Sequence, residues 1–195
     1  EFVPDNACPA PKAVPLTDNT VLLLFDSQWY LQPHDQQPGL NPGCTIQTRK
    51  GFRKAFEKLA RKHWDKRLIV ASHHPWYSNG RHGGYFSLKD HLFPLTASID
   101  WAYLPLPVFS RKAGISSQDN TSSRFRALRQ WMLGLFKSHK DIVFASGHEH
   151  NLSYYARHGH HFIVSGSGSK VSPLRKGKGA LFAHSAQGLF RLDYH

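Results

Sequence analysis

Leu68-Ile69-Val70-Ala71-Ser72-His73-His74-Pro75 and Ile142-Val143-Phe144-Ala145-Ser146-Gly147-His148-Glu149-His150 end in the same way. Each is an apolar run of strand length, without alternation, that leads straight into histidine. Runs of that kind predict strands buried on both faces, as in parallel sheets. Open α/β sheets gather ligands and reactive groups at the C-terminal ends of such strands. Imidazoles displayed there, on loops held by rigid strands, suit borderline metals such as zinc, iron or manganese. His148 and His150 are two apart, so in extended backbone they point the same way. The chain holds 14 histidines, so a lone one says little; two matching strand ends say more.

Working outward, Val21–Phe25 is a third buried-type run, ending at Asp26-Ser27. Between it and the Leu68 strand, Phe52, Ala55, Phe56, Leu59, Ala60 and His63 recur at helical spacing among Arg53, Lys54, Lys58, Arg61 and Lys62. Ser122 or Ser123 caps a second helix carrying Phe125, Leu128, Met132, Leu135 and Phe136 on one face. Strands alternating with helices predict an α/β layered domain with right-handed crossovers. Short strands at Leu152–Ala156, His161–Ser165, Ala180–Ala183 and Leu189–Asp193 add a mixed or antiparallel part. Residues 1–19, with Pro4, Pro9, Pro11 and Pro15, read as an irregular extended lead-in, and 32–47 as loop. From Trp76 to about Asn120 a Gly-, Ser- and Pro-rich stretch reads as a functional loop with a short helix near Leu88–Leu95.

The chain has 195 residues, enough for one domain with a proper core, and is 40% hydrophobic. That excludes a disordered chain and a disulfide-packed miniprotein. No apolar run nears the ~20 residues of a membrane-spanning helix. Lys and Arg total 25 against 13 Asp and Glu, a balance that favours anionic partners. The only methionine is Met132, so residue 1 is not a translation start, and a processed product, an engineered product or a piece of something longer is expected. Cys8 and Cys44 leave two readings open. They are unrelated thiols, or a disulfide pinning two loops, which would imply an oxidising compartment.

Ser72-His73-His74-Pro75 and Gly147-His148-Glu149-His150-Asn151, with their first histidines 75 positions apart, resemble the later motifs of the calcineurin-like metallophosphoesterases, which include the purple acid phosphatases. Those motifs read strand, G-H-x-P or a variant, then strand, G-H-x-H. Phe162–Ser169 looks like the strand and turn that follow in many members, and the resemblance runs from the Val21 strand to about Ser169. It implies a layered αββα sandwich with helices outside paired sheets. It implies further that His73 and His148 are ligands of one metal ion and His150 of a second, with His74 a pocket residue. Two ions roughly 3.5–4 Å apart would acidify a bridging water, polarise the phosphoryl oxygens and offset charge on the leaving oxygen. The family's earlier motifs, D-x-H, G-D-x-x-D and G-N-H-[DE], have no counterpart here; the one D-x-H is Asp193-Tyr194-His195, at the wrong end. The expectation is therefore residues 1–195 as the C-terminal part of one metallophosphoesterase domain. Its N-terminal half would be the partner that completes the site, and the isolated chain would be incomplete. Long members of the family include secreted and periplasmic proteins, so such a compartment is expected.

Tyr77, Asn79, Arg81 and His82 follow the first motif and are substrate-binding candidates with His74. The basic helix near 50–67 offers a nucleic-acid or anionic surface, but its ordinary apolar spacing favours a solvated face, and no nucleic-acid partner is predicted. Gly166-Ser167-Gly168-Ser169 lacks the lysine and helix of a P-loop and reads as a turn. His158, His160 and His161 flank Gly159 and read as an exposed hairpin tip. No G-x-S-x-G elbow supports a serine hydrolase. Three classes stay open: a hydrolase of phosphomonoesters or phosphodiesters, a basic binding module, and a degenerate non-catalytic member of the fold.

Overall fold

The computed structural model describes residues 8–32, 43–80, 122–175, 177 and 179–194. The helix expected near Leu88–Leu95, together with Arg81 and His82, lies outside them. The described residues form a mixed α/β fold built on a seven-stranded sheet of order β1-β2-β3-β4-β6-β5-β7. In chain order these strands are β1 (Lys12–Thr17), β2 (Thr20–Leu24), β3 (Arg67–Ser72), β4 (Val143–Ser146), β5 (Leu152–Arg157), β6 (His160–Ser165) and β7 (Phe182–His184). The helices are α1 (Ser27–Leu31), α2 (Arg49–Lys62) and α3 (Ser123–Leu135). Strands β2, β3, β4 and β6 run parallel, while β1, β5 and β7 pair antiparallel at the flanks.

Alternation along the central strands sends two apolar sets to opposite faces. Val21, Leu23, Leu68, Val70, Phe144, Phe162 and Val164 meet Phe52, Phe56 and Ala60 of α2 and Phe125, Leu128 and Met132 of α3 in one main core. Ile69, Val143 and Ile163 form a smaller cluster on the other face, covered by Leu22, Ala145, Tyr154 and Phe190. Both long helices therefore lie on one face of the sheet. Thr48 caps α2 and Ser122 caps α3, each side chain accepting from a backbone N–H of the first turn.

Three expectations need correcting. The lead-in is not irregular throughout, because Lys12–Thr17 forms β1 against β2. Pro15 is tolerated there because β1 is an edge strand that leaves one row of backbone groups unpaired. Leu189–Asp193 makes no strand; Phe190 instead lies across the smaller apolar cluster. His160 is no exposed tip, being 2% exposed with its ring packed on Phe144. Cys8 and Cys44 are joined in a disulfide with Cα atoms 5.5 Å apart, the second of the two open readings.

Burial holds the His160 imidazole below its ordinary pKa, with neighbouring His139 and His158 acting the same way and the Phe136 carbonyl and Asp141 opposing. A group whose pKa falls on folding binds more protons unfolded, so its share of stability is complete above the unfolded value of about 6.5 and declines as pH drops below it. Thermal unfolding followed from pH 7.5 to 5 should show a smaller loss for His160→Gln than for the parent chain. Parallel profiles would contradict the assignment.

Candidate functional site

The parallel register decides what meets what. Ser72 at the end of β3 pairs with Ser146 at the end of β4, and the Gly147 N–H extends the ladder to the His73 carbonyl at 3.2 Å. His73 and His148, the next side chains out, are brought together from 75 positions apart. His148 Nδ1 lies 2.8 Å from His73 Nε2, and the rings cross at 72° with centroids 4.7 Å apart. Two imidazole lone pairs do not approach so closely unless a proton or another cation lies between them. His148 carries a φ of 62°, the left-handed region that a non-glycine residue adopts at a cost of about 1 kcal/mol or more.

His74 faces inward. It is 1% exposed, its ring 5.0 Å from that of His73 and 4.5 Å from that of His148. Its Nδ1 lies 2.9 Å from the Ser27 hydroxyl, which also accepts the His74 backbone N–H at 3.1 Å. Ser27 opens α1, directly after Asp26 caps it by accepting from the Trp29 N–H. Sequence reasoning missed Ser27, which lies three residues past the end of β2 and whose partner stands 47 positions away.

Other candidates are placed differently. Among the described residues the His150 ring makes no hydrogen bond or ring contact with His73, His74 or His148; its carbonyl accepts from the Ser172 N–H at 2.7 Å. Tyr77 packs on Phe162 and Tyr155, with Arg129 5.4 Å and Arg157 4.9 Å from its ring centre. Burial pushes its phenol up despite the two guanidinium groups, and Tyr155 is pushed up to about 12, so both stay protonated near neutrality. Asn79 is buried, and its side-chain amide donates to the Gly177 carbonyl while its backbone carbonyl accepts from the Arg175 N–H.

The donor chemistry suits a metal only in part. Two nitrogens about 2.0–2.1 Å from one ion would stand 2.8 Å apart only at a near-right angle, closer than the roughly 3.3 Å of a tetrahedral zinc pair. Among the described residues no group of three or more His, Cys, Asp or Glu is arranged to hold a metal ion. The pair fits two positions of a coordination shell and leaves the others to be supplied.

No protein-family model and no curated protein matches this chain. A solved structure described as "GAP50 the anchor in the inner membrane complex of Plasmodium" is similar at 18% identity and a TM-score of 0.46, covering 90% of this chain and 42% of that one. The chain thus spans less than half the length of that neighbour.

Removing the Ser27 hydroxyl takes a hydrogen-bond partner from the buried His74. Ser27→Ala should lower stability by about 1–3 kcal/mol in urea unfolding, the cost of a buried polar group left without its partner. A change within 0.5 kcal/mol would mean that the Ser27–His74 pair is not a structural tie.

Proposed function

We propose that this chain supplies the histidine-bearing half of a metal-dependent phosphoester hydrolase. The observation that carries the reading is the meeting of His73 and His148 at the C-terminal ends of two neighbouring parallel strands. In that reading both are metal ligands and His150 serves a second ion. Carboxylates and further donors come from a part of the protein beyond this stretch. The αββα layering belongs to the same proposal. It is supported by the helices lying on one sheet face while the other, around Ile69, Val143 and Ile163, has lighter cover. An oxidising compartment, periplasmic or extracellular, is supported by the Cys8–Cys44 bond.

Zinc, iron or manganese bound there would supply an acidified water and Lewis-acid polarisation of a phosphoryl oxygen. The chain's own residues have more modest tasks. His73 and His148 hold the ion from rigid strand ends, where spacing is fixed before any ligand arrives. Ser27 fixes the His74 ring against them. Arg129 and Arg157 beside Tyr77 add positive charge near the same loops, which favours an anionic phosphoester. Neutral Tyr77 is suited to donate a hydrogen bond rather than to act as a base.

Calorimetric titration with Zn²⁺ or Mn²⁺ tests the reading. His73→Ala combined with His148→Ala should weaken the tightest binding at least about 100-fold, more than loss of an outer partner would. Unchanged affinity would remove the metal site.

A second reading, a basic module for nucleic acid, is favoured by one observation. Lys50, Lys54, Lys58 and Lys62 are exposed at strict four-residue intervals on α2, opposite its buried Phe52, Phe56 and Ala60. If those four neutralise phosphates, duplex affinity should fall with salt at a log–log slope of about −4, and replacing all four by Gln should abolish that slope. A flat salt dependence in the parent chain would eliminate it.

A further inference from the structure

Glu149 stands between His148 and His150 but is only 2% exposed. A carboxylate is among the costliest groups to bury, and it persists inside a protein when its oxygens are hydrogen-bonded. Here Oε1 accepts a 2.7 Å hydrogen bond from the Ser78 hydroxyl. That hydroxyl in turn accepts the Gly80 N–H at 2.9 Å, so Ser78 joins the carboxylate to the turn that follows His73-His74-Pro75. Gly80 backs directly onto the carboxylate. A Cβ at that position would lie 2.7 Å from Oε1 and closer still to Oε2, nearer than real Cβ atoms come. The 78–80 turn is therefore shaped around this one side chain.

The main chain of Glu149 is equally committed. Its N–H donates to the Gly147 carbonyl at 2.7 Å, and its carbonyl accepts from the Asn151 N–H at 2.8 Å. A Cβ on Gly166 would collide with the same carbonyl. Within this tight turn sits His148 at a φ of 62°. Such a conformation survives only where the surroundings over-determine it.

We propose that Glu149 is the positioning residue of the histidine pair. Its buried carboxylate, latched to Ser78, holds residues 147–151 in the turn that keeps His148 left-handed and its Nδ1 against His73 Nε2. The latch ties the loop after β3 to the loop after β4 by a route independent of the sheet. For its functional consequence the proposal rests on the metal-site reading above.

Imidazole NMR of the metal-free 195-residue chain, ¹⁵N-labelled at histidine, tests the geometry first. The parent chain should show a through-space contact between the His73 and His148 rings. Glu149→Ala should lose it, and Ser78→Ala, which removes only the hydroxyl, should weaken it even if Glu149→Ala folds poorly. Glu149→Gln keeps the acceptor oxygen and should retain the contact. Titration with Co²⁺, read by its visible absorption, should then show Glu149→Ala and Ser78→Ala binding about 10–100-fold more weakly, with Glu149→Gln close to the parent. A ring contact that survives in Ser78→Ala and in any folded Glu149→Ala overturns the latch. Loss of the contact in both variants, with Co²⁺ binding indifferent to His73 and His148, upholds the latch and overturns the metal site instead.

Discussion

The pairing of β3 with β4 is the constraint on which the rest depends. Both strands are apolar on both faces, so hydrophobic patterning alone does not fix their register; a slip of one residue would still bury apolar side chains. Size and shape fix it instead. Phe144 and Phe162, register partners on β4 and β6, stack nearly parallel with centroids 4.9 Å apart, close to the spacing of neighbouring strands. Trp76 and Phe136 close edge-on over Phe144 from the helix side. A slip would push Val143 into that aromatic niche and turn Phe144 onto the thinly covered face. It would also move His148 by about 3.3 Å relative to its neighbour, more than a hydrogen bond tolerates. The aromatic core thus sets the distance between two imidazoles that lie outside it.

Beyond the sheet edge the character of the structure changes. Inside, stability comes from close-packed rings: Phe25 touches Phe52 and Phe56, and Phe56 touches Phe52, Trp131 and Phe136. At the strand ends sit the costly features, namely a left-handed His148, a buried His74 and a buried Glu149. Each is held by a contact between segments far apart in sequence: Ser27 with His74, His73 with His148, Ser78 with Glu149. Strain and buried polarity concentrated at one edge of a well-packed sheet is the distribution expected of a binding site.

Much of this was legible in the sequence, for reasons that also explain the rest. The apolar runs at Val21, Leu68 and Ile142 and the amphipathic stripe of α3 are local signals strong enough to place those elements to within two residues, whereas the helix expected near 50–67 ends at Lys62 and Arg67 already belongs to β3. His73 and His148 were legible because identical strand endings imply a shared sheet edge. β1 was not, since prolines that break a central strand are harmless on an edge. The terminal Leu189–Asp193 run had strand composition, but it lays Phe190 across the smaller apolar cluster instead of pairing. His160 was misread because Gly159 marks the hairpin turn, while burial one position later depends on Phe144, which only the β4–β6 pairing brings near. Ser27 and Glu149 carry no local pattern at all. Their roles arise from partners 47 and 71 positions away.

The excess of basic residues divides by chemistry. One set of arginines is used inside the fold: Arg49 and Arg53 wrap Tyr30, Arg124 reaches the Leu31 carbonyl and Arg129 the Trp76 carbonyl. A planar guanidinium suits such carbonyl and ring contacts, whereas lysine is left to the solvent, as along α2. The Tyr30, Leu31 and Trp76 carbonyls belong to the segments that leave β2 and β3 on the histidine side of the sheet. Structural use of arginine there has an electrostatic by-product, fixed positive charge on the segments that follow β2 and β3. Partly buried charge of this kind is screened less by salt than the exposed lysines are. An anion approaching the histidines would therefore meet a field that survives physiological ionic strength, while attraction along the lysine stripe fades. Under the phosphoester reading proposed above, that asymmetry, more than the net charge, favours the strand ends over the helix.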